Sequence, residues 1–176
     1  MEEKKKKKGR RAYLNDFKVS LSGEYIYTGA TYQPEGDYKK TRLLLVLLSV
    51  VSTALNIFCG SVPAEPMLNT FYVIIPFVVA IACAIRVLWA ATRLCINKLP
   101  LREYVLKQTF DVSRPVSIVM TVFSTITAVA TLTFGFIKGF SAFSALTYAF
   151  LISQLLNIFL GLFLSKITKN VIWVKQ

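Results

Sequence analysis

Ser117-Ile118-Val119-Met120-Thr121-Val122-Phe123-Ser124-Thr125-Ile126-Thr127-Ala128-Val129-Ala130-Thr131-Leu132-Thr133-Phe134-Gly135 is the stretch whose reading decides the fold. Taken at alternating steps of four and three, it yields Ser117, Thr121, Ser124, Ala128, Thr131 and Gly135, all of them small. Residues at those steps share one face of a helix. Between them stand Ile118, Val119, Val122, Phe123, Ile126, Val129 and Leu132. A soluble helix shows the opposite arrangement, with the apolar residues on the repeating seam. In lipid the arrangement is sound. Helices there associate by close contact, and small residues let their backbones approach.

Working outward, three more stretches have the same character. The apolar runs are Leu43–Gly60, Thr70–Thr92, Pro115–Ile137 and Ala142–Leu164. Each is long enough to cross a hydrocarbon core of about 30 Å at roughly 1.5 Å per residue. The chain has 176 residues, 55% of them hydrophobic. Soluble domains lie near 45–50%. Leu43–Gly60 is preceded by a long polar segment, so it reads as a permanent span and not a cleaved leader. The fold class is all-α and integral to the membrane: a four-transmembrane-helix bundle, with a short cytoplasmic β-hairpin-like segment ahead of it.

Charge orients the bundle. The formal net charge is +12, from 21 basic and 9 acidic residues. Eleven basic residues precede the first run, and six lie between Arg86 and Arg114. Lys166, Lys169 and Lys175 follow the fourth run, and Lys138 alone falls in an opposite loop. That asymmetry is the positive-inside pattern. It argues against a nucleic-acid partner and places both termini and the 93–114 loop in the cytoplasm of a plasma-membrane protein.

The organisation follows. Residues 1–12 are a basic tail, with Lys4–Lys8, Arg10 and Arg11, read as disordered and solvated. Residues 13–42 are a cytoplasmic or interfacial β-like segment. Phe17, Val19 and Leu21 alternate there with Lys18, Ser20 and Ser22, and a Gly23-Glu24 turn leads into Tyr25, Ile26 and Tyr27. Tyr25, Tyr27 and Tyr32 are candidates for contact with lipid headgroups or a partner. Residues 43–165 form the four-helix domain and 166–176 a cytoplasmic tail. In the 93–114 loop, Leu101, Tyr104, Val105, Leu106 and Phe110 read as a short amphipathic helix on the membrane. Asp111-Val112-Ser113-Arg114-Pro115 reads as the start of the third span. Glu24-Tyr25-Ile26 and Glu103-Tyr104-Val105 raise an internal repeat of cytoplasmic segment plus helical hairpin.

Small-residue seams recur. The first run carries Ser49, Thr53, Asn56 and Gly60, and the fourth carries Ala145, Ala149, Ser153, Asn157, Gly161 and Ser165. The candidate helix-packing residues are the Ser117–Gly135 seam, Ser49, Thr53 and Asn56 of the first run, and Ala145, Ala149, Ser153, Asn157 and Gly161 of the fourth. Arg86 and Arg93, seven apart in the second run, are candidates for headgroup or partner contact.

Chemistry is scarce. There is no histidine, and none of the acids falls within an apolar run. Cys59, Cys83 and Cys95 match no metal spacing and imply no disulfide framework. No nucleotide-binding loop is present. The expectation is a non-catalytic protein with no metal and no cofactor. It reads as an accessory or scaffolding subunit of a larger membrane complex, possible roles including transport. It would bind lipid, and would bind protein partners through its small-residue faces and cytoplasmic segments. The alternative is a self-contained small channel or carrier lined by Asn56, Gln154, Asn157 and the third-span hydroxyls.

Overall fold

The computed structural model describes residues 17–20, 23–36, 38–61 and 66–176. Helix makes up 77% of it. The basic tail expected at 1–12 lies outside the described residues. Four helices carry the fold: α1 (Tyr38–Ser61), α2 (Phe71–Ile96), α3 (Glu103–Lys138) and α4 (Ala145–Asn170). All four are long and apolar enough to cross a membrane, which marks the chain as membrane-embedded. Short 3₁₀ turns at Pro66–Asn69 and Phe140–Ala142 lie in two of the connections. Each helix packs on two neighbours, α1 on α2 and α4, and α3 on α2 and α4.

Each helix buries a stripe at the 3.6-residue period. In α3 the buried set includes Ser113, Ser117, Met120, Ser124, Thr127, Ala128, Thr131, Phe134 and Gly135. In α2 it includes Ala80, Ala84, Val87, Ala91 and Leu94. The outward faces carry Leu43, Ile75, Val129, Phe136 and Phe159, all exposed. Such a surface suits hydrocarbon, since lipid tails are as apolar as these side chains. Helices α3 and α4 come into close contact at Gly161 of α4. A Cβ there would lie 3.1 Å from the Ser117 carbonyl of α3 and would collide with Thr121 Oγ1.

The strands stand at one end of the bundle. Strands β1 (Phe17–Val19) and β2 (Tyr25–Tyr27) form an antiparallel hairpin with Phe17 opposite Tyr27. Gly23 closes it at φ +82°, where a Cβ would be strained. The small antiparallel strands anticipated near the N-terminus are therefore present. A second sheet joins segments that lie far apart in the chain. Strand β3 (Thr31–Pro34) lies between β4 (Leu101–Arg102) and β5 (Trp173–Lys175), antiparallel to both. It ties together the segment before α1, the α2–α3 connection and the chain's last residues. Main-chain bonds extend it, Glu103 N to Ala30 O at 3.1 Å and Gln176 N to Thr31 O at 2.9 Å.

Beneath this sheet lies an aromatic core. The Trp173 ring meets Tyr38 of α1 at 5.4 Å and Phe110 of α3 at 5.2 Å, both edge to face. Leu101, Val105 and Leu106 are buried with them. That arrangement corrects two expectations. The amphipathic helix of the 93–114 loop is not a separate surface element. It is the opening of α3, which runs unbroken through Pro115 for 36 residues, about 54 Å. No helix starts at Asp111–Pro115, because Val105, Leu106 and Phe110 are held in the cap core, and this extends the helix upstream of the proline. The two segments compared as a repeat also differ in structure: Tyr25-Ile26 is strand and Glu103-Tyr104-Val105 is helix.

Two predictions follow from this packing. Gly161→Val should destabilise the protein by about 1–3 kcal/mol, read as a lowered melting temperature in detergent. Ala149→Val, on the exposed side of the same helix, should leave that temperature unchanged. Trp173→Ala removes two edge-to-face contacts of about 0.5–1.5 kcal/mol each. Trypsin should then cut at Arg102 at least several-fold faster than in the wild type.

Candidate functional site

Most hydroxyls of α3, Ser124 excepted, are satisfied by their own helix. Thr109 donates to the Val105 carbonyl at 2.6 Å, Ser113 to Thr109 at 2.7 Å, Ser117 to Ser113 at 2.8 Å and Thr121 to Ser117 at 3.0 Å. Thr127 and Thr131 repeat the pattern further along, donating to the Phe123 and Thr127 carbonyls. A hydroxyl bonded to the carbonyl four residues back presents a small surface and asks nothing of its neighbours.

Amides cannot do this completely, and they gather where α1, α3 and α4 meet. Ser52 Oγ donates to Asn157 Oδ1 at 2.8 Å and lies 3.5 Å from Met120 Sδ. Asn56 Nδ2 donates to the Ser52 carbonyl at 2.9 Å. One turn further along α1, the Cys59 thiol donates to Ser153 Oγ at 2.8 Å, and Ser153 donates to the Phe150 carbonyl at 2.7 Å. Asn56, Ser124, Gln154 and Asn157 are fully buried. Asn56 Oδ1, Ser124 Oγ, Asn157 Nδ2 and both polar atoms of Gln154 have no hydrogen-bond partner. Uncharged donors and acceptors are thus enclosed together, near the middle of their apolar runs, with capacity to spare.

Most of the helix-packing candidates fall inside the bundle. Ser49, Thr53, Asn56, Ser117, Ser124, Ala128, Thr131, Gly135, Ser153, Asn157 and Gly161 are buried, and Thr121 is half-buried. Ala145 and Ala149 are exposed. The physical reason is the step. Residues four apart advance about 40° beyond a full turn, so a strict step-four series winds off the face it starts on. The buried face of α4 instead runs Thr147, Phe150, Ser153 and Gln154, Asn157, Gly161, Leu164 and Thr168. Ser52, Met120 and Cys59 are parts of the buried cluster that the seam reading passed over. Ser52 was legible as the residue one turn before Asn56.

The second group lies on the outer side of α2 and α3. Arg86, Trp89 and Arg93 share a face of α2. The Arg86 guanidinium stands 4.5 Å from the Trp89 ring centre and that of Arg93 5.0 Å. Both bind Gln108 of α3. Arg86 Nη2 donates to its main-chain carbonyl at 3.0 Å, and Arg93 Nη1 to its Oε1 at 2.8 Å. The third group is the hairpin. Tyr25 is exposed, Tyr27 and Tyr32 are half-buried, and the Tyr27 hydroxyl donates to the Ala30 carbonyl at 3.1 Å. Arg102 of β4 lies 5.1 Å from the Tyr27 ring and 5.5 Å from Phe17, fastening the hairpin to the second sheet. Among the described residues, no three histidine, cysteine or carboxylate side chains come together.

The fold and these groups define a membrane-embedded four-helix protein with a small β cap. No family model, curated protein or solved structure matches the chain.

The buried cluster makes a prediction of opposite signs. Ser52→Ala strands Asn157 Oδ1 and should cost about 1–3 kcal/mol. Gln154→Met keeps the volume but removes two unpartnered atoms, so it should raise the melting temperature or leave it unchanged. Thermal unfolding of the two variants in the same detergent checks both signs.

Proposed function

We propose that the protein is a non-catalytic multi-pass subunit, an accessory or scaffolding component of a larger membrane complex. In this reading it sits in the plasma membrane with the cap and both termini in the cytoplasm. The excess of Lys and Arg in the segments that build the cap supports that orientation. No part of the reading requires a cofactor, a metal or nucleic acid.

One observation carries it. Three segments far apart in sequence are gathered into one ordered cap, which then holds out a hairpin whose Val19, Tyr25 and Ile26 are exposed. Short strands cost main-chain entropy to order. Val19 and Tyr25 lie on one face of the hairpin and Ile26 on the other, and exposed apolar area of this kind is a surface for a protein or membrane partner. The small-residue seams lend weaker support than their pattern promises, because the bundle uses most of them internally. Ala145 and Ala149 are the members left for a partner helix.

A second reading, a small self-contained channel or carrier, has one observation in its favour: the unpartnered amides enclosed between α1, α3 and α4. Buried polar groups in membrane helices frequently mark a solute path.

A pull-down in mild detergent separates the two. On the subunit reading, a membrane partner co-purifies in fixed ratio with the wild type and is lost from an Ile26→Glu or Ala149→Leu variant that remains folded. If the protein instead purifies alone and moves a small solute across liposomes, with flux abolished by Asn157→Leu, the subunit reading fails and the carrier reading replaces it.

A further inference from the structure

Arg86 and Arg93 place two permanent positive charges on one indole ring, and Gln108 is the acceptor shared by both. Gln108 is uncharged, so it orients the guanidinium groups without neutralising them. Among the described residues, the recorded ion pair is Lys107 with Glu103, and neither arginine takes part in it. Arg86 Nη1 is buried and has no hydrogen-bond partner. Like charges held this close, with no carboxylate among the described residues to neutralise them, fit an anion with several acceptor oxygens.

Position narrows the anion. Arg86 follows the start of α2 at Phe71 by roughly 22 Å of rise, so it stands toward the cap end of the span but within the apolar run. Trp89 and Ile85 beside it are exposed to the hydrocarbon side. Ile75 precedes Arg86 by about three turns, roughly 16 Å, and so faces the same way. There it lines an apolar groove of about 430 Å³ with Pro76, Phe123 and Ile126, between α2 and α3. That groove lies past the middle of the 70–92 run, so the acyl chain of a lipid held at the arginines packs on the intervening α2 face, where Ile85 and Val78 are exposed.

We propose that Arg86, Trp89, Arg93 and Gln108 form a binding site for a phosphate group, supplied by an anionic phospholipid of the leaflet at the cap end. The two guanidinium groups take the phosphate oxygens, Trp89 holds the guanidinium planes, and Gln108 sets their separation. This site stands apart from the subunit and carrier readings, and neither is needed for it.

Native mass spectrometry of the full-length, delipidated protein tests it, with phosphatidylglycerol as the probe. The wild type should retain one phosphatidylglycerol in preference to phosphatidylcholine. Arg86→Gln with Arg93→Gln should weaken retention about 30-fold, at roughly fivefold for each basic residue removed. Arg86→Lys with Arg93→Lys keeps the charge but loses the planar fork, and should fall between. Equal retention by wild type and double glutamine variant would overturn the site. Displacement of the lipid by inorganic phosphate at comparable concentration would overturn the lipid assignment. Should the double variant not fold, quenching in the wild type keeps the proposal testable. Phosphatidylglycerol brominated near the top of its acyl chain should quench fluorescence that is absent from Trp89→Phe, and no difference between those proteins would reject it.

Discussion

Every hydrogen-bonding group inside a helix that faces lipid or another apolar helix must be satisfied within the protein, because hydrocarbon offers no partner. The structure depends on how α3 meets that constraint. Its hydroxyls form a ladder, each donating to the carbonyl one turn earlier. Ser117 and Thr131 can therefore sit in the centre of the bundle, fully buried. What remains of each is a small, nearly neutral knob. Against it α4 comes close enough at Gly161 that a single methyl group would strike α3. A chain of leucines at these positions would hold the helices further apart and leave that contact unmade.

Local sequence pattern reveals part of this structure and not the rest. Four spans, the α3 seam and the first hairpin follow from local pattern: run length, a four-three alternation, and strand alternation around Gly23. The second sheet does not. Its strands are two to four residues long, too short for alternation to register. Their partners lie far along the chain, Tyr32 opposite Leu101 on one side and Lys175 on the other. Pro115 illustrates the limit from another side. Proline lacks a donor and marks a helix boundary in most settings. Here α3 continues across it because Val105, Leu106 and Phe110 are anchored beneath Trp173. Tertiary contact outweighs a local signal that, taken alone, points to a start.

The α4 series shows a subtler failure. Steps of exactly four look like a helical face, but the face rotates beneath them. The series begins exposed at Ala145 and Ala149 and becomes buried by Ser153. The α3 seam alternates four with three, which tracks the true period, and it stays buried almost throughout. A rule that counts small residues four apart treats the two alike. The geometry of the helix does not.

Hydroxyls and amides thus play different parts in one core. A serine or threonine can spend its proton on its own helix, as α3 does eight residues at a time. An asparagine or glutamine carries two donors and two acceptor positions, and its own helix can take only part of that capacity. Asn56 donates one amide proton to the Ser52 carbonyl and keeps a free oxygen, Asn157 accepts from Ser52 and keeps a free nitrogen, and Gln154 keeps both. A bundle built only to pack would gain by replacing these amides with leucine or methionine, since unsatisfied polar atoms cost about 1–3 kcal/mol each when buried. They lie where α1, α3 and α4 meet, so the polar atoms left unspent are enclosed by packing on every side. The arginines on Trp89 carry the same imbalance to the outer face, with charge and not neutral polarity left unspent.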